Sequence, residues 1–180
     1  MEYEALDAED RETAQRQLNR PLRGRVLLAA RCPHGAVEVI ATSPLLSDGT
    51  PFPNLFWLSC PLLQRAVSRL ESGDFRKVLR RKLKEQPGFA ARLRQAESEY
   101  IRERDSWAEE MGELDEVRAY LSGREGVGGT ASGGLKCLHA HLAHFLADGN
   151  NPVGAEIAEV LKGVQERECD GDCGPFLREE

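Results

Sequence analysis

The sequence lacks long hydrophobic runs, and no stretch reaches the roughly 18 apolar residues that a membrane-spanning helix needs. The N-terminus also lacks the basic stretch and apolar core that mark a secretory signal peptide. We therefore expect a cytoplasmic protein without a membrane partner. In that reducing compartment its five cysteines, an odd number, are expected as thiols or metal ligands rather than as disulfides.

Several widespread catalytic signatures are missing as well. The Gly-rich segment 126–134 does not have the spacing of a Walker phosphate-binding loop, and the chain contains no dinucleotide-binding fingerprint. A strand–turn–helix nucleophile elbow is absent too. The cysteines include no Cys-x-x-Cys pair of the kind found in zinc ribbons. No motif therefore assigns a reaction, and it stays open whether the protein is an enzyme.

Positive charge is in deficit, because 24 lysines and arginines face 30 acidic residues and the formal net charge is -6. Nucleic-acid affinity depends on neutralising phosphates, so this balance argues against a nucleic-acid partner. The basic run Arg76–Lys84 is an exception. We interpret it mainly as a solvated helix face. Nucleic-acid binding through this helix remains an alternative function.

The composition that is present belongs to a globular domain. Hydrophobic residues make up 41% of the chain and charged residues 30%, which excludes collagen-like, disordered and disulfide-scaffold classes. A length of 180 residues predicts one domain over 1–180, with a helix within 1–20 and a disordered tail over 168–180.

The hydrophobic period changes once along the chain, at Pro61. Before it, three short segments rich in Val, Leu and Ile predict strands at Arg25–Arg31, Ala36–Thr42 and Asn54–Ser59. After it, helical spacing predicts elements that begin near Pro61, Phe75, Phe89, Trp107, Leu135 and Val153. The predicted fold class is α+β: a small three-stranded antiparallel sheet near the N-terminus, packed with five or more helices.

Three cysteines lie at the boundaries of these elements. Cys32 ends the first strand, Cys60 ends the third, and Cys137 begins a helix. In an antiparallel meander the first and third strands run in the same direction, so Cys32 and Cys60 are expected at one sheet edge. A helix start packed there would add Cys137. Three thiolates and one imidazole would complete a tetrahedral zinc site.

Two histidines compete for the imidazole position. His141 lies four residues after Cys137 on the same helix flank, so both could bind one ion. His139 lies on the other flank and could join Cys137 only if the helix begins later than Leu135. The remaining pair, Cys169 and Cys173, lies in a polar tail and is interpreted as incidental.

Several short motifs occur in an order and spacing that resemble the bacterial domain of unknown function 501 family, from about Leu18 to Leu161. The resemblance implies relatives with a bacterial housekeeping role but carries over no activity. It also implies that Cys32, Cys137, His139 and His144 belong to the family pattern, which favours His139 over His141. The motifs are Arg31-Cys32-Pro33-His34-Gly35, Asp48-Gly49-Thr50-Pro51-Phe52-Pro53, Cys60-Pro61, Lys136-Cys137-Leu138-His139, Ala143-His144 and Asn151-Pro152-Val153-Gly154.

Two further functions stand beside nucleic-acid binding. In the first and favoured one, the Cys/His site binds zinc structurally in a protein that interacts with another protein. In the second, a metal- or thiol-dependent enzyme acts on a small anionic substrate, phosphorylated ones included. The free amides at the start of a helix after a Gly-rich loop favour anions. The candidate anion-binding residues are Arg31, Gly133, Gly134 and Lys136.

Overall fold

A computed structural model describes residues 3–46, 48–50 and 52–177. Its sheet contains the three predicted strands, β2 (Val26–Arg31), β3 (Val37–Thr42) and β4 (Phe56–Leu58), in an antiparallel meander. A fourth strand, β1 (Glu4–Ala5), pairs antiparallel with Leu27 and Leu28 of β2. The prediction of three strands was therefore one short. A strand of two residues is too short to show a hydrophobic pattern, and these two residues form a strand only because they pair with β2.

Every strand of the described residues precedes Pro61, and the prediction of five or more helices is confirmed. No helix in the described part of the chain is both long enough and apolar enough to cross a membrane. The helices are α1 (Ala8–Leu18), α2 (Pro61–Ser72), α3 (Phe75–Glu85), α4 (Pro87–Glu110), α5 (Leu114–Tyr120), α6 (Leu138–Asp148), α7 (Pro152–Val160) and α8 (Val164–Glu168), with a 3-10 turn at Gly174–Phe176.

Two helix boundaries differ from the prediction. Trp107 belongs to α4, which continues to Glu110, and the chain turns at Gly112 with a φ of +73°. Side chains other than glycine disfavour that conformation, so the break falls after Trp107 rather than before it. The second difference is that α6 begins at Leu138 instead of Leu135, because Cys137 is the extended residue before its first turn.

The main core lies between the sheet and α6, which packs across β4, while α7 packs against α6. The α6–α7 approach is close at Gly154. A Cβ atom at this residue would meet the His141 carbonyl oxygen and the Phe145 side chain, so only glycine fits. The α6 helix is thereby held on two sides, with its N-terminus at the molecular surface.

The basic run forms α3, and its environment differs from the expectation at two positions. Leu79 is fully buried, but Val78, predicted to face the core, is 37% exposed because α3 buries only a narrow stripe. Arg76, predicted to face solvent, is half-buried and contacts the Glu71 carboxylate at 3.1 Å. Lys82 pairs with Glu156. Part of the positive charge is therefore neutralised within the fold.

Candidate functional site

The candidate site lies where the C-terminal part of α2 meets the N-terminus of α6. Cys137 precedes the first helical residue, with an extended backbone that turns the chain into α6. The Leu138 amide donates to Glu71 Oε1 of α2 at 2.6 Å. A carboxylate is favoured there, because the first amides of a helix have no partner within the helix. Glu71 thereby fixes the start of α6 against α2.

His139 lies on the first turn of α6 and faces α2 between Gln64 and Glu71. Its Nε2 atom is 3.1 Å from the Gln64 carbonyl oxygen and 3.3 Å from Ser68 Oγ. Its Nδ1 atom is 3.5 Å from Glu71 Oε1. One potential ligand atom each from Glu71, Cys137 and His139 lies within 4.8 Å of the other two. These three residues form the cleft triad, and they could hold a metal ion.

The electrostatics of the cleft triad couple the thiol to the imidazole. Burial alone would raise the pKa of Cys137, but hydrogen bonding to His139 and to the Ala140 amide outweighs it and lowers that pKa. Burial alone would lower the pKa of His139, but Cys137, the Gln64 carbonyl and the Glu71 charge raise it. The arrangement therefore favours a thiolate beside an imidazolium.

Cys137 and His139 line a cavity of about 680 Å³ that opens between α2, α6 and the sheet. Three arginines also line it, Arg20, Arg65 and Arg69, and no carboxylate does among the described residues. Two of the guanidinium groups lie over aromatic rings, which limits their motion: Arg20 over Trp57 and Arg65 over Phe176. We call this cavity the arginine cleft. Its charge suits an anionic ligand.

Comparison with known proteins bears on these residues. The family described as Protein of unknown function (DUF501) matches residues 28–159. The chain belongs to this family. The resemblance inferred from its short motifs is thereby confirmed. No curated protein matches the chain, and no solved structure does. The DUF501 match contains the whole cleft triad, but it ends before Cys169 and Cys173.

In this DUF501 chain, two of the predicted zinc ligands lie outside the cleft triad. Cys32 and Cys60 do end β2 and β4 at one sheet edge, as the topology predicted. Cys60 however precedes the first residue of α2, whereas Glu71 lies near its other end, roughly 16 Å along the helix at 1.5 Å per residue. Among the described residues Cys137 joins Glu71 and His139 in a group of close ligand atoms, and neither Cys32 nor Cys60 belongs to that group.

His141 belongs to a closed polar network on the inner side of α6. It is fully buried, its Nε2 donates to the Gly134 carbonyl at 2.9 Å, and its Nδ1 accepts from Asn151 Nδ2 at 3.1 Å. Burial lowers the pKa of His141. Asn151 also lies 3.1 Å from His144 Nδ1, and His144 Nε2 contacts Asp148. Both nitrogens of His141 are occupied within the protein.

Two of the predicted anion-binding residues, Gly133 and Arg31, contact carboxylates of the protein, whereas the Lys136 side chain is exposed. The Gly133 amide donates to Glu97 Oε1 at 2.7 Å, so the Gly-rich loop does hold an anion, but it is a carboxylate of α4. Arg31 makes a two-pronged contact with Asp10. The Lys136 carbonyl accepts from Arg76. No spacing in the sequence pointed to Glu71 or Gln64, because only packing of α2 on α6 brings them to His139.

Proposed function

We propose that the arginine cleft is an active site in which Cys137 is the nucleophile and His139 its proton partner. The observation that carries the proposal is that Cys137 and His139 lie together on the wall of an arginine-lined cavity, with Glu71 behind them. A thiol is activated by an adjacent base that a third group orients, and Glu71 supplies that third group. The substrate class is a small anionic molecule, phosphorylated ones included.

The chemistry follows from the contacts of each side chain. The Cys137 thiolate forms a bond to an electrophilic atom of the substrate, and the leaving group departs with the proton of the His139 imidazolium. His139 then takes a proton from water, which cleaves the bond to sulfur and restores the thiolate. The Gln64 carbonyl holds Nε2, so that Nδ1 is the atom turned towards Glu71, and the same ring hydrogen-bonds to Cys137.

Anion binding follows from the arginines on α2. Arg65 and Arg69 are four residues apart, so they lie on one face of the helix, and Ser68 lies between them. All three line the arginine cleft together with Cys137. Guanidinium groups bind carboxylates and phosphates in a planar, two-pronged geometry. A substrate anion held there would lie beside the thiolate.

A zinc ion in the cleft triad is the second candidate, favoured by one contact. The Gln64 carbonyl accepts from the distal nitrogen of His139, as carbonyls do behind metal-binding histidines. Three protein ligands would leave the open position of a catalytic zinc. We rank it second because Glu71 Oε1 already accepts from the Leu138 amide and lies beside the Arg76 guanidinium. Either chemistry requires a reduced Cys137, which fits a cytoplasmic location.

The test is the rate at which iodoacetamide alkylates Cys137 in the full chain, followed by mass spectrometry. We expect faster alkylation at neutral pH than for free glutathione, since reactivity follows thiolate content. His139→Gln should remove the acceleration, and His34→Gln, at an exposed histidine outside the arginine cleft, is the matched control that keeps it. Inorganic phosphate should protect Cys137, less so in Arg69→Gln.

Three outcomes separate the candidates. Alkylation no faster than that of glutathione overturns the thiol proposal. Zinc that copurifies with the wild type and is lost on Cys137→Ser supports the second candidate instead. Equal protection by phosphate in Arg69→Gln and in the wild type removes the assignment of an anionic substrate. Arg94→Gln, on the exposed surface of α4, is the charge-matched control for that last comparison.

A further inference from the structure

The four cysteines outside the cleft triad come together at one edge of the sheet. Cys32 lies in the turn between β2 and β3, Cys60 lies between β4 and α2, and Cys169 and Cys173 follow α8. The three chain segments are far apart in sequence. Because β2 and β4 both run antiparallel to β3, their ends meet at this edge.

Two glutamine side chains show how close the segments are. Gln17 Nε2 donates to the Val37 carbonyl at 3.0 Å and to Cys173 Sγ at 3.4 Å. Gln165 Nε2 donates to Glu38 Oε1 at 2.6 Å and contacts Cys60 Sγ at 3.8 Å. Val37 and Glu38 are consecutive residues of β3, so both sulfurs lie near the same end of this strand.

The turn that contains Cys32 faces the loop between Cys169 and Cys173. A Cβ atom on Gly171 would lie 3.5 Å from His34 Cβ, which places the loop directly against that turn. The Gly171 amide donates to Cys169 Sγ at 3.4 Å, and its φ of +100° needs a glycine. The contact fixes the loop so that Cys169 and Cys173 lie on the side of the Cys32 turn.

The four cysteines are also electrostatic neighbours. Cys173 acts on Cys60, and Cys32 and Cys169 act on Cys173. Neighbouring thiols suit a dication, which deprotonates the thiols that coordinate it. Within the described residues, the buried Gln17 Oε1 beside the cluster has no hydrogen-bond partner.

We propose that Cys32, Cys60, Cys169 and Cys173 bind one zinc ion that fastens the C-terminal segment to the sheet edge. The three-residue spacing of Cys169 and Cys173 is typical of a ligand pair in structural zinc sites. Four thiolates leave no open position, so the ion is structural rather than catalytic. This site shares no residue with the cleft triad and does not depend on its chemistry.

Binding an ion requires the sulfurs to approach one another. In tetrahedral coordination they would be about 3.8 Å apart, from Zn–S bonds of about 2.3 Å. Among the described residues, no three of these sulfurs lie within 4.8 Å of one another. The half-exposed loop 169–173 is the segment that can move inward, since Cys32 and Cys60 are held by the sheet.

The test is the zinc content of the reduced full chain by mass spectrometry, with cobalt as a spectroscopic probe. We expect about one zinc ion per chain and the intense visible absorption of tetrahedral thiolate-bound cobalt. Cys169→Ser and Cys173→Ser should each lose both signals, while Cys137→Ser keeps them. Circular dichroism checks that the two variants, altered in a half-exposed loop, remain folded. Chelation should lower the Tm of the wild type but not that of Cys173→Ser.

Several results would overturn the proposal. A reduced wild-type chain that binds neither zinc nor cobalt contradicts it, as does zinc retained in full by both loop variants. Zinc lost only on Cys137→Ser would locate the metal in the arginine cleft instead. A disulfide between Cys169 and Cys173 in the protein as isolated, without zinc, would identify the cluster as a redox pair.

Discussion

Two glutamates hold the chain that leads into α6, and their surroundings differ. Glu97 accepts from the Gly133 amide at 2.7 Å and from Ser132 Oγ at 2.6 Å. Glu71 accepts from the Leu138 amide at 2.6 Å. Glu97 is 2% exposed, whereas the Glu71 side chain is 20% exposed and faces Cys137 and His139. Both glutamates therefore accept from a backbone amide. Glu97 does so as a buried anchor, and Glu71 does so beside reactive side chains.

The difference shows why the backbone contact alone does not identify a functional site. Both carboxylates accept hydrogen bonds from backbone amides that lack another partner among the described residues. Glu71 does so at the start of a helix and Glu97 in a Gly-rich loop. Of the two, only Glu71 also has a histidine and a thiol within 4.8 Å, and those two side chains line a cleft that a ligand can enter. Substitutions at the two glutamates should therefore separate stability from reactivity.

The largest effect on stability is expected at the buried anchor. Glu97→Ala removes the acceptor of two hydrogen bonds and leaves a void, so we expect a loss of about 2 kcal/mol in the free energy of unfolding. Urea denaturation measures it. Glu99→Ala, two residues along α4 and nearer the solvent, is the control. Equal losses in the two variants would show that the loop is not anchored by Glu97.

A pH dependence should follow from the same residue. Burial raises the pKa of Glu97, against the effect of its hydrogen bonds to Ser132 and Gly133 and of the Arg94 charge. The native state therefore binds a proton at a higher pH than the unfolded chain does. This contribution to stability is present below about pH 4.5, the unfolded value, and is lost as the pH rises through the native pKa.

The comparison variant for that pH dependence is Glu97→Gln, which cannot titrate. As the pH falls from neutral towards about 4.5, the wild type should gain stability relative to this variant. Urea denaturation across this range measures the difference in unfolding free energy. A difference that stays constant with pH would contradict the prediction.

Glu71→Gln should change reactivity more than stability. The amide oxygen can still accept from the Leu138 amide, so we expect a loss below about 1 kcal/mol in unfolding free energy. The charge that supports the His139 imidazolium is lost, and His139 is the main group that lowers the pKa of Cys137. Alkylation of Cys137 by iodoacetamide should therefore slow down. Glu97→Gln should leave the alkylation rate unchanged. A slower rate in that variant would show that the two glutamates do not differ in their effect on Cys137.

The smallest effect is expected on α3, outside both regions. Arg80→Glu combined with Arg81→Glu reverses two exposed charges, and we expect a change within about 0.5 kcal/mol. The same variant examines nucleic-acid binding through Arg76–Lys84. Filter binding at several salt concentrations should show no specific affinity in either protein. A salt-dependent affinity lost in the variant would make nucleic-acid binding the leading function.

Local patterns in the sequence determined most of the elements. At Pro61 the spacing of hydrophobic residues changes from that of strands to that of helices, and this change predicted β2, β3, β4 and the helices after them. Burial of one face requires a different spacing of hydrophobic residues in a strand than in a helix. The short motifs determined the family, and the boundary position of Cys137 together with His139 pointed to the site. In contrast, β1 has no pattern of its own and exists through its pairing with β2.

Tertiary structure decided which partners Cys137 has. The topology correctly predicted that Cys32 and Cys60 end at one sheet edge, but the place of α6 along α2 depends on packing between residues far apart in sequence. That packing gave Cys137 the carboxylate of Glu71 and the Gln64 carbonyl behind His139. It also brought Cys173 near Cys60, a pairing across 113 residues that no spacing encodes. The spacing of hydrophobic residues shows which face of a helix or strand is buried. Which other element packs on that face is determined only when the whole chain folds.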